Sequence, residues 1–379
     1  MKHLFPLLIL FLQTLTSAGQ DHSSFPLDVT CRTAPQAFKV SDTPRLAYEL
    51  HLVNYAPWPI ELTAIAVLNQ QGSPVITFDK DALDTRVIKA EHLLTGSSDT
   101  AARTLASGHA AVIFIDIPLA PKDTVPSILQ HRITCVTSGN HSHSFTIQQI
   151  RVNKTPVSVL SPPVHGPGWV AFNAYGTTDH RRSFNPVDGR LSVAERFAID
   201  WMCLGPDGKL FNNDPKDNNS YYCYGAEVLA VADARVCDLK DGAEDNTGVS
   251  ERANRKITLD NIVGNYLTLD LGNGRYALYA HLQPGKFKVR IGDRVKAGQP
   301  LALLGNSGNS DGPHLHFQLM DANSPIGSEG IPYVYRSFTQ RTVVEQPDLL
   351  DKGGSVPATN SKKQKHNEFP VNNAILDFP

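Results

Sequence analysis

His314 and His316 sit in the stretch Gly305-Asn-Ser-Gly-Asn-Ser-Asp-Gly-Pro-His-Leu-His-Phe-Gln-Leu319, where a glycine-punctuated loop runs into a short alternating segment. Strand side chains alternate faces, so His314, His316 and Gln318 project one way and Leu315, Phe317 and Leu319 the other. The apolar side can enter a core and leave two imidazoles side by side on an open face. That arrangement suits a metal ligand with a proton-handling neighbour. By itself it is also what an ordinary polar strand face looks like, so partners must be sought elsewhere in the chain. A second such pair, His141 and His143, lies beside Gly139-Asn140 with no acidic or cysteine neighbour and reads as a solvated turn.

A catalytic zinc site needs about three N or O ligands and an open position. In Arg196-Phe-Ala-Ile-Asp-Trp201, alternation puts Phe197, Ile199 and Trp201 on an apolar face and turns Asp200 the other way. Asp200 is therefore the best carboxylate candidate, although a plain strand-end aspartate would show the same pattern. Residues 266–271 and 276–282 read as a hairpin joined by Gly272-Asn-Gly274. Along its second strand Tyr276, Leu278, Ala280 and Leu282 form the apolar face. His281, with Ala277 and Tyr279, is expected on the opposite one, looking into a site.

The elements that must hold these groups are strands. Gly 27 and Pro 26 in 379 residues, with little helical periodicity, point to a mainly β chain of two domains. Residues 1–19 read as a signal peptide. Lys2 and His3 precede an apolar run (residues 4–12), and small residues up to Ala18/Gly19 mark a cleavage point. The run is too short for a spanning helix, an uncleaved anchor being the alternative, and a secreted or periplasmic protein is expected. No other stretch is long and apolar enough to span a bilayer, so no integral membrane segment is expected after signal removal. Residues 20–152 carry short strands separated by turns, an immunoglobulin-like β-sandwich in size. The Pro/Gly-rich residues 153–168 read as a linker, 169–338 as a second, largely antiparallel β domain, and 339–379 as a polar flexible tail. A net charge of −2 gives no electrostatic reason to expect nucleic acid. Export permits disulfides: Cys31 and Cys135 near the ends of the first domain could staple it. Cys203, Cys223 and Cys237 leave one thiol over, and Cys203 and Cys223 could clip the polar excursion between them. The cysteines have no C-x₂₋₄-C spacing, which disfavours zinc binding by them.

Residues 264–319 closely resemble the lysostaphin- and LytM-type zinc endopeptidases. The resemblance rests on Gly264-Asn-Tyr266, Tyr279-Ala-His-Leu282, Gly292-Asp-Arg-Val-Lys-Ala-Gly-Gln299, Gly305-Asn-Ser-Gly308 and Gly312-Pro-His-Leu-His-Phe317, in the family's order. It implies a Zn2+ cofactor, His316 and Asp200 as ligands, and His314 and His281 as catalytic histidines acting on a zinc-activated water. It also implies hydrolysis of peptide bonds in peptidoglycan cross-links or glycine-rich peptides. Non-catalytic relatives imply the alternative, a domain that binds peptidoglycan or regulates a partner wall hydrolase. One departure stands out. The family places its remaining ligand four residues before the aspartate, where this chain has Arg196, whose guanidinium cannot bind zinc. A variant pattern in relatives pairs His-Arg-Arg with a later Arg-Phe-Ala-Ile-Asp, and makes His180 of Asp179-His-Arg-Arg182 the substitute; His165, in the Pro/Gly stretch, is the competitor. The first domain lies outside the resemblance and could target the second or cover its groove.

Overall fold

A computed structural model describes residues 25–94, 102–120, 123–147, 149–176, 179–248, 256–357, 359 and 361–379. The expected signal peptide lies outside the described residues. The chain is mainly β. Its N-terminal part is two antiparallel sheets, one containing Thr43–Asn54 and Ala110–Pro118, the other Ile60–Leu68 and Ile128–Thr137. The sheets share a core of Leu46, Tyr48, Leu50 and Leu52 from the first and Ile60, Leu62, Ile65 and Ile133 from the second.

The first of these sheets is covered on both faces. Along Thr43–Asn54 the even-numbered residues enter the sandwich, while Ala47 joins the core of the second domain and Glu49 is buried on that side. Along Ala110–Pro118, Ile113, Ile115 and Ile117 face inward. Val112 and Phe114 instead cluster with Phe184 and Val193 of the second domain. A strand buried on both sides loses its polar alternation, which is why residues 110–118 read as a nearly continuous apolar run.

An eleven-stranded sheet forms the second domain. Its central neighbours are Gly166–Phe172, Ile199–Cys203, Leu315–Met320 and Arg275–Ala280, in that order and all antiparallel. Two expected boundaries are corrected. The stretch 153–168 is no free linker, because Ser158–Leu160 runs parallel to Tyr333–Val343 and Gly166–Phe172 pairs on both sides. The expected tail is part of the sheet. Lys363–Glu368 pairs with Tyr333–Val343, and Ala374–Phe378 lies between Tyr333–Val343 and Gly166–Phe172. Apolar burial of Phe369, Leu376 and Phe378 holds it there, and the polar residues before it are neutralised by Lys365–Glu368 and Lys365–Asp42 ion pairs.

The expected disulfides are absent, for all five cysteines are free thiols. Cys31 Sγ turns to the Thr33 carbonyl, whereas Cys135 lies on the opposite sheet of the sandwich. Cys203 Sγ points at the Pro167 and Leu204 carbonyls and Cys223 Sγ at that of Pro313.

Candidate metal and catalytic centre

Strand register builds most of the site. Phe172, Asp200, His316 and Ala280 are directly paired across four neighbouring strands and so share one face. The opposite face, with Ile199, Trp201, Leu315 and Phe317, is core. His314 lies one step before the strand, and Gln318 is two residues beyond His316 on the same face. His281 arrives differently from the expected alternation. Tyr279 faces the core opposite Phe317, while Leu278 and Ala280 line the cleft. The strand ends at Ala280, and His281 takes φ 61°, a left-handed conformation that turns its ring back toward the cleft. His180 sits off the sheet on the short 3₁₀ turn His180–Arg182.

These groups converge. Asp200 Oδ1 is 2.9 Å from His316 Nδ1 and 3.5 Å from His314 Nε2, and Oδ2 is 3.2 Å from His180 Nε2. The His281 ring lies 4.8 Å from that of His314 and 5.9 Å from that of His316, between centroids. Hydrogen bonds fix which nitrogen each ring offers. His180 Nδ1 donates to the Asn173 carbonyl (3.0 Å), His281 Nδ1 to that of Ser307 (2.7 Å) and His314 Nδ1 to that of Gly312 (2.8 Å). Each therefore presents Nε2 to the cleft. His316 is reversed. Gln318 donates its amide to the Pro325 carbonyl, so its Oε1 faces His316 Nε2 at 2.8 Å, leaving Nδ1 toward Asp200. Asn173 Nδ2 donates to Asp200 Oδ2 at 2.8 Å.

Burial alone would raise the Asp200 carboxyl, but His180 and His314, with His316, outweigh it and hold it well below the usual carboxylate range. Burial likewise opposes protonation of His180, yet the Asp200 charge raises it to about 9. His316 is raised for the same reason against the same opposition. Burial, reinforced by His314 and His316, drives His281 well below its ordinary value and keeps it neutral.

One oxygen of Asp200 and one nitrogen each of His180 and His316 lie within 4.8 Å of one another. Two imidazoles and a carboxylate make the N/O donor set of a three-ligand zinc site, and it opens on a cleft of about 1080 Å³, so the residues fit the ion. Phe172, Met202, Phe211 and Tyr221 line that cleft beside the histidines.

All five expected site residues, His180, Asp200, His281, His314 and His316, are thus brought together. His165 is exposed and does not line the cleft; its carbonyl accepts from Trp169 Nε1. Arg196 is buried away from the cleft, with Nε 2.7 Å from Glu49 Oε2 and Nη2 2.6 Å from Glu329 Oε2. Sequence reasoning missed Asn173 and the role of Gln318, although strand alternation already placed Gln318 on the face of His316.

Residues 221–328 match the family described as Peptidase family M23. The match spans His281, His314 and His316 and starts after His180 and Asp200. The chain is 52% identical over 97 residues to lysostaphin of Staphylococcus staphylolyticus, covering 24% of this chain and 17% of that protein. It is 38% identical over 65 residues to the peptidoglycan DD-endopeptidase ShyA of Vibrio cholerae (17% and 15%). To the murein hydrolase activator EnvC of Escherichia coli it is 33% identical over 148 residues (38% and 31%). The aligned stretches span less than a third of each of these relatives.

Proposed function

Residues 221–328 belong to peptidase family M23, the lysostaphin- and LytM-type group, and on that premise we propose that this protein is an exported zinc metalloendopeptidase hydrolysing peptide bonds in peptidoglycan cross-links. Export rests on the sequence of residues 1–19. The observation that carries the catalytic reading is the convergence of Asp200, His180 and His316 with two further imidazoles on one cleft wall. His180, Asp200 and His316 would hold the metal. When bound, zinc supplies a Lewis acid that polarises a carbonyl and acidifies water.

The chain's own groups do the rest. His281, with Nδ1 committed to the Ser307 carbonyl and burial keeping it neutral, presents Nε2 as an acceptor for the proton of an attacking water. His314, its Nδ1 held by the Gly312 carbonyl, turns Nε2 into the same space, where it can accept from and orient the attacking water beside His281. Gln318 accepts from His316 Nε2 and so keeps the proton there, which leaves the lone pair of Nδ1 to bind a metal. The aromatic and thioether wall of Phe172, Met202, Phe211 and Tyr221 gives the peptide backbone a surface to lie on.

Similarity to EnvC supports a second reading, a wall-binding domain that regulates a partner hydrolase. One experiment separates the two. The zinc-loaded protein should release soluble peptide fragments from purified peptidoglycan sacculi, and His281→Ala should retain its metal while losing turnover. A zinc-loaded wild type that releases no fragments but accelerates a partner hydrolase would establish the regulator instead. Loss of metal from His281→Ala would place His281 among the ligands.

A further inference from the structure

We infer that the N-terminal sandwich is a working part of the metal site, with Arg181 as a positioning residue that fixes the turn carrying His180. The inference rests on the reading of His180 as a ligand. Asp200 and His316 need no such help. They are directly paired on adjacent strands, and the backbone ladder sets their separation. His180 has no ladder. It lies on a three-residue turn twenty residues before Asp200 in the chain, and its own ring is tied to the second domain through the Asn173 carbonyl and Asp200. A useful metal ligand must be held to within about 0.5 Å.

The sandwich supplies the hold. Arg181 Nη2 donates to the carbonyls of Ile115 (2.6 Å) and Tyr48 (3.2 Å), which are directly opposed in register on the two central strands of the first sheet. Its Nε lies 3.4 Å from Glu49 Oε1. Arg182 Nη2 donates to the Thr85 carbonyl at 2.6 Å. The two guanidinium carbons lie 5.6 and 5.2 Å from the centroid of one ring, Phe114, at a distance suited to cation–π contact. Phe184, two residues past Arg182, packs against that same ring.

Glu49 completes the argument. Its second oxygen binds Arg196, the residue standing where the resemblance expects a ligand four positions before Asp200. One buried carboxylate of the sandwich therefore anchors both the segment leading to Asp200 and the turn bearing His180. A domain that merely delivered its neighbour to a substrate would have no need of this tie.

The test is zinc affinity of the full chain, measured by competition with a chromophoric chelator. Arg181→Ala should bind zinc about tenfold to a hundredfold more weakly than wild type, the range found when a ligand's supporting contact is removed. Thermal unfolding of the metal-free protein should show it folded. Arg181→Lys, able to reach one of the two carbonyls, should recover part of the affinity, and His180→Ala should lose zinc outright. Wild-type affinity in Arg181→Ala together with loss in His180→Ala overturns the positioning role and leaves the metal site standing. Wild-type affinity in both removes His180 from the ligand set, and the inference falls with it. Should Arg181→Ala fail to fold, Phe114→Leu loosens the same seat from the sandwich side. Weakened zinc binding in that variant supports the proposal and unchanged binding overturns it.

Discussion

What separates the four imidazoles of the cleft is the partner of the nitrogen that faces away. A backbone carbonyl only accepts, so His180, His281 and His314 must each carry their proton on Nδ1. The Gln318 amide, oriented by Pro325, reverses that choice for His316. Alternation in residues 314–319 made the two histidines and Gln318 legible as one face, but the fold-back of Pro325 that gives Gln318 its task is not in the local pattern. Arg196 is the complementary case. Its chemistry ruled it out as a ligand from the sequence, while its use was hidden, because its acceptor Glu49 lies 147 residues away in another domain. Restoring a histidine at 196 should therefore restore nothing. The Arg196→His, His180→Ala double variant should bind no more zinc than His180→Ala, since the side chain at 196 points into the Glu49–Glu329 cluster. Recovered zinc in a chelator competition would show that position 196 reaches the site. The single variant Arg196→His should lose on the order of 3–5 kcal/mol in denaturant unfolding, because the shorter imidazole cannot bridge the two buried carboxylates that the guanidinium joins.

At the scale of elements, the site depends on a loop crossing as much as on the strands. Gly264 (φ +65°) and Gly308 (φ +77°) pack backbone to backbone, and a Cβ on Gly308 would stand 2.4 Å from Gly264 N. That approach brings Ser307 into place, its carbonyl holding His281 and its hydroxyl accepting from Asn265 N. The glycines of 305–312 were readable as a loop feeding a strand into a groove. That His281 looks into the cleft was readable too, but the route was not: the strand's faces are the reverse of those expected, with Tyr279 in the core and Leu278 and Ala280 in the cleft, and the left-handed backbone at 281 turns the ring back. Gly308→Ala is expected to keep zinc and lose turnover, by displacing the Ser307 carbonyl and releasing the His281 ring. Gly72→Ala is the control, at φ +79° in a sandwich turn with nothing within 4 Å of the added carbon. It should show the strain of about 1–2 kcal/mol in an unfolding curve and leave peptide release unchanged. Equal activity in the two variants would mean that the Gly264–Gly308 crossing does not set the His281 ring.

Across the whole molecule the two domains and the C-terminal segment are built as one body. Phe38 of the first domain touches Tyr175, Phe197 and Phe369, at 5.2, 5.1 and 5.9 Å between ring centroids. Asp42 meets Lys363 and Lys365 near the chain's end, and Lys39 meets Glu368. The reading of residues 339–379 as a tail failed because lysines and asparagines outweighed the five-residue run Ala374–Phe378 in composition. Their neutralising carboxylate, Asp42, is more than three hundred residues away. In the sheet, Ala374–Phe378 separates Tyr333–Val343 from Gly166–Phe172, and Gly166–Phe172 is the direct neighbour of the strand bearing Asp200. Removing residues 344–379 would leave both flanking strands with unpaired inner edges, a template for aggregation, and would strip Phe369, Leu376 and Phe378 from the core. We therefore expect the truncated chain to be recovered insoluble or without cooperative unfolding, and without zinc, whereas a disposable tail would leave both properties intact. Leu376→Asp in the full chain is the sharper version, since it keeps the strand's length and places an unpaired charge where the side chain is 0% exposed. A soluble Leu376→Asp protein with wild-type melting and full zinc occupancy would show that the strand is dispensable to the sheet that carries Asp200.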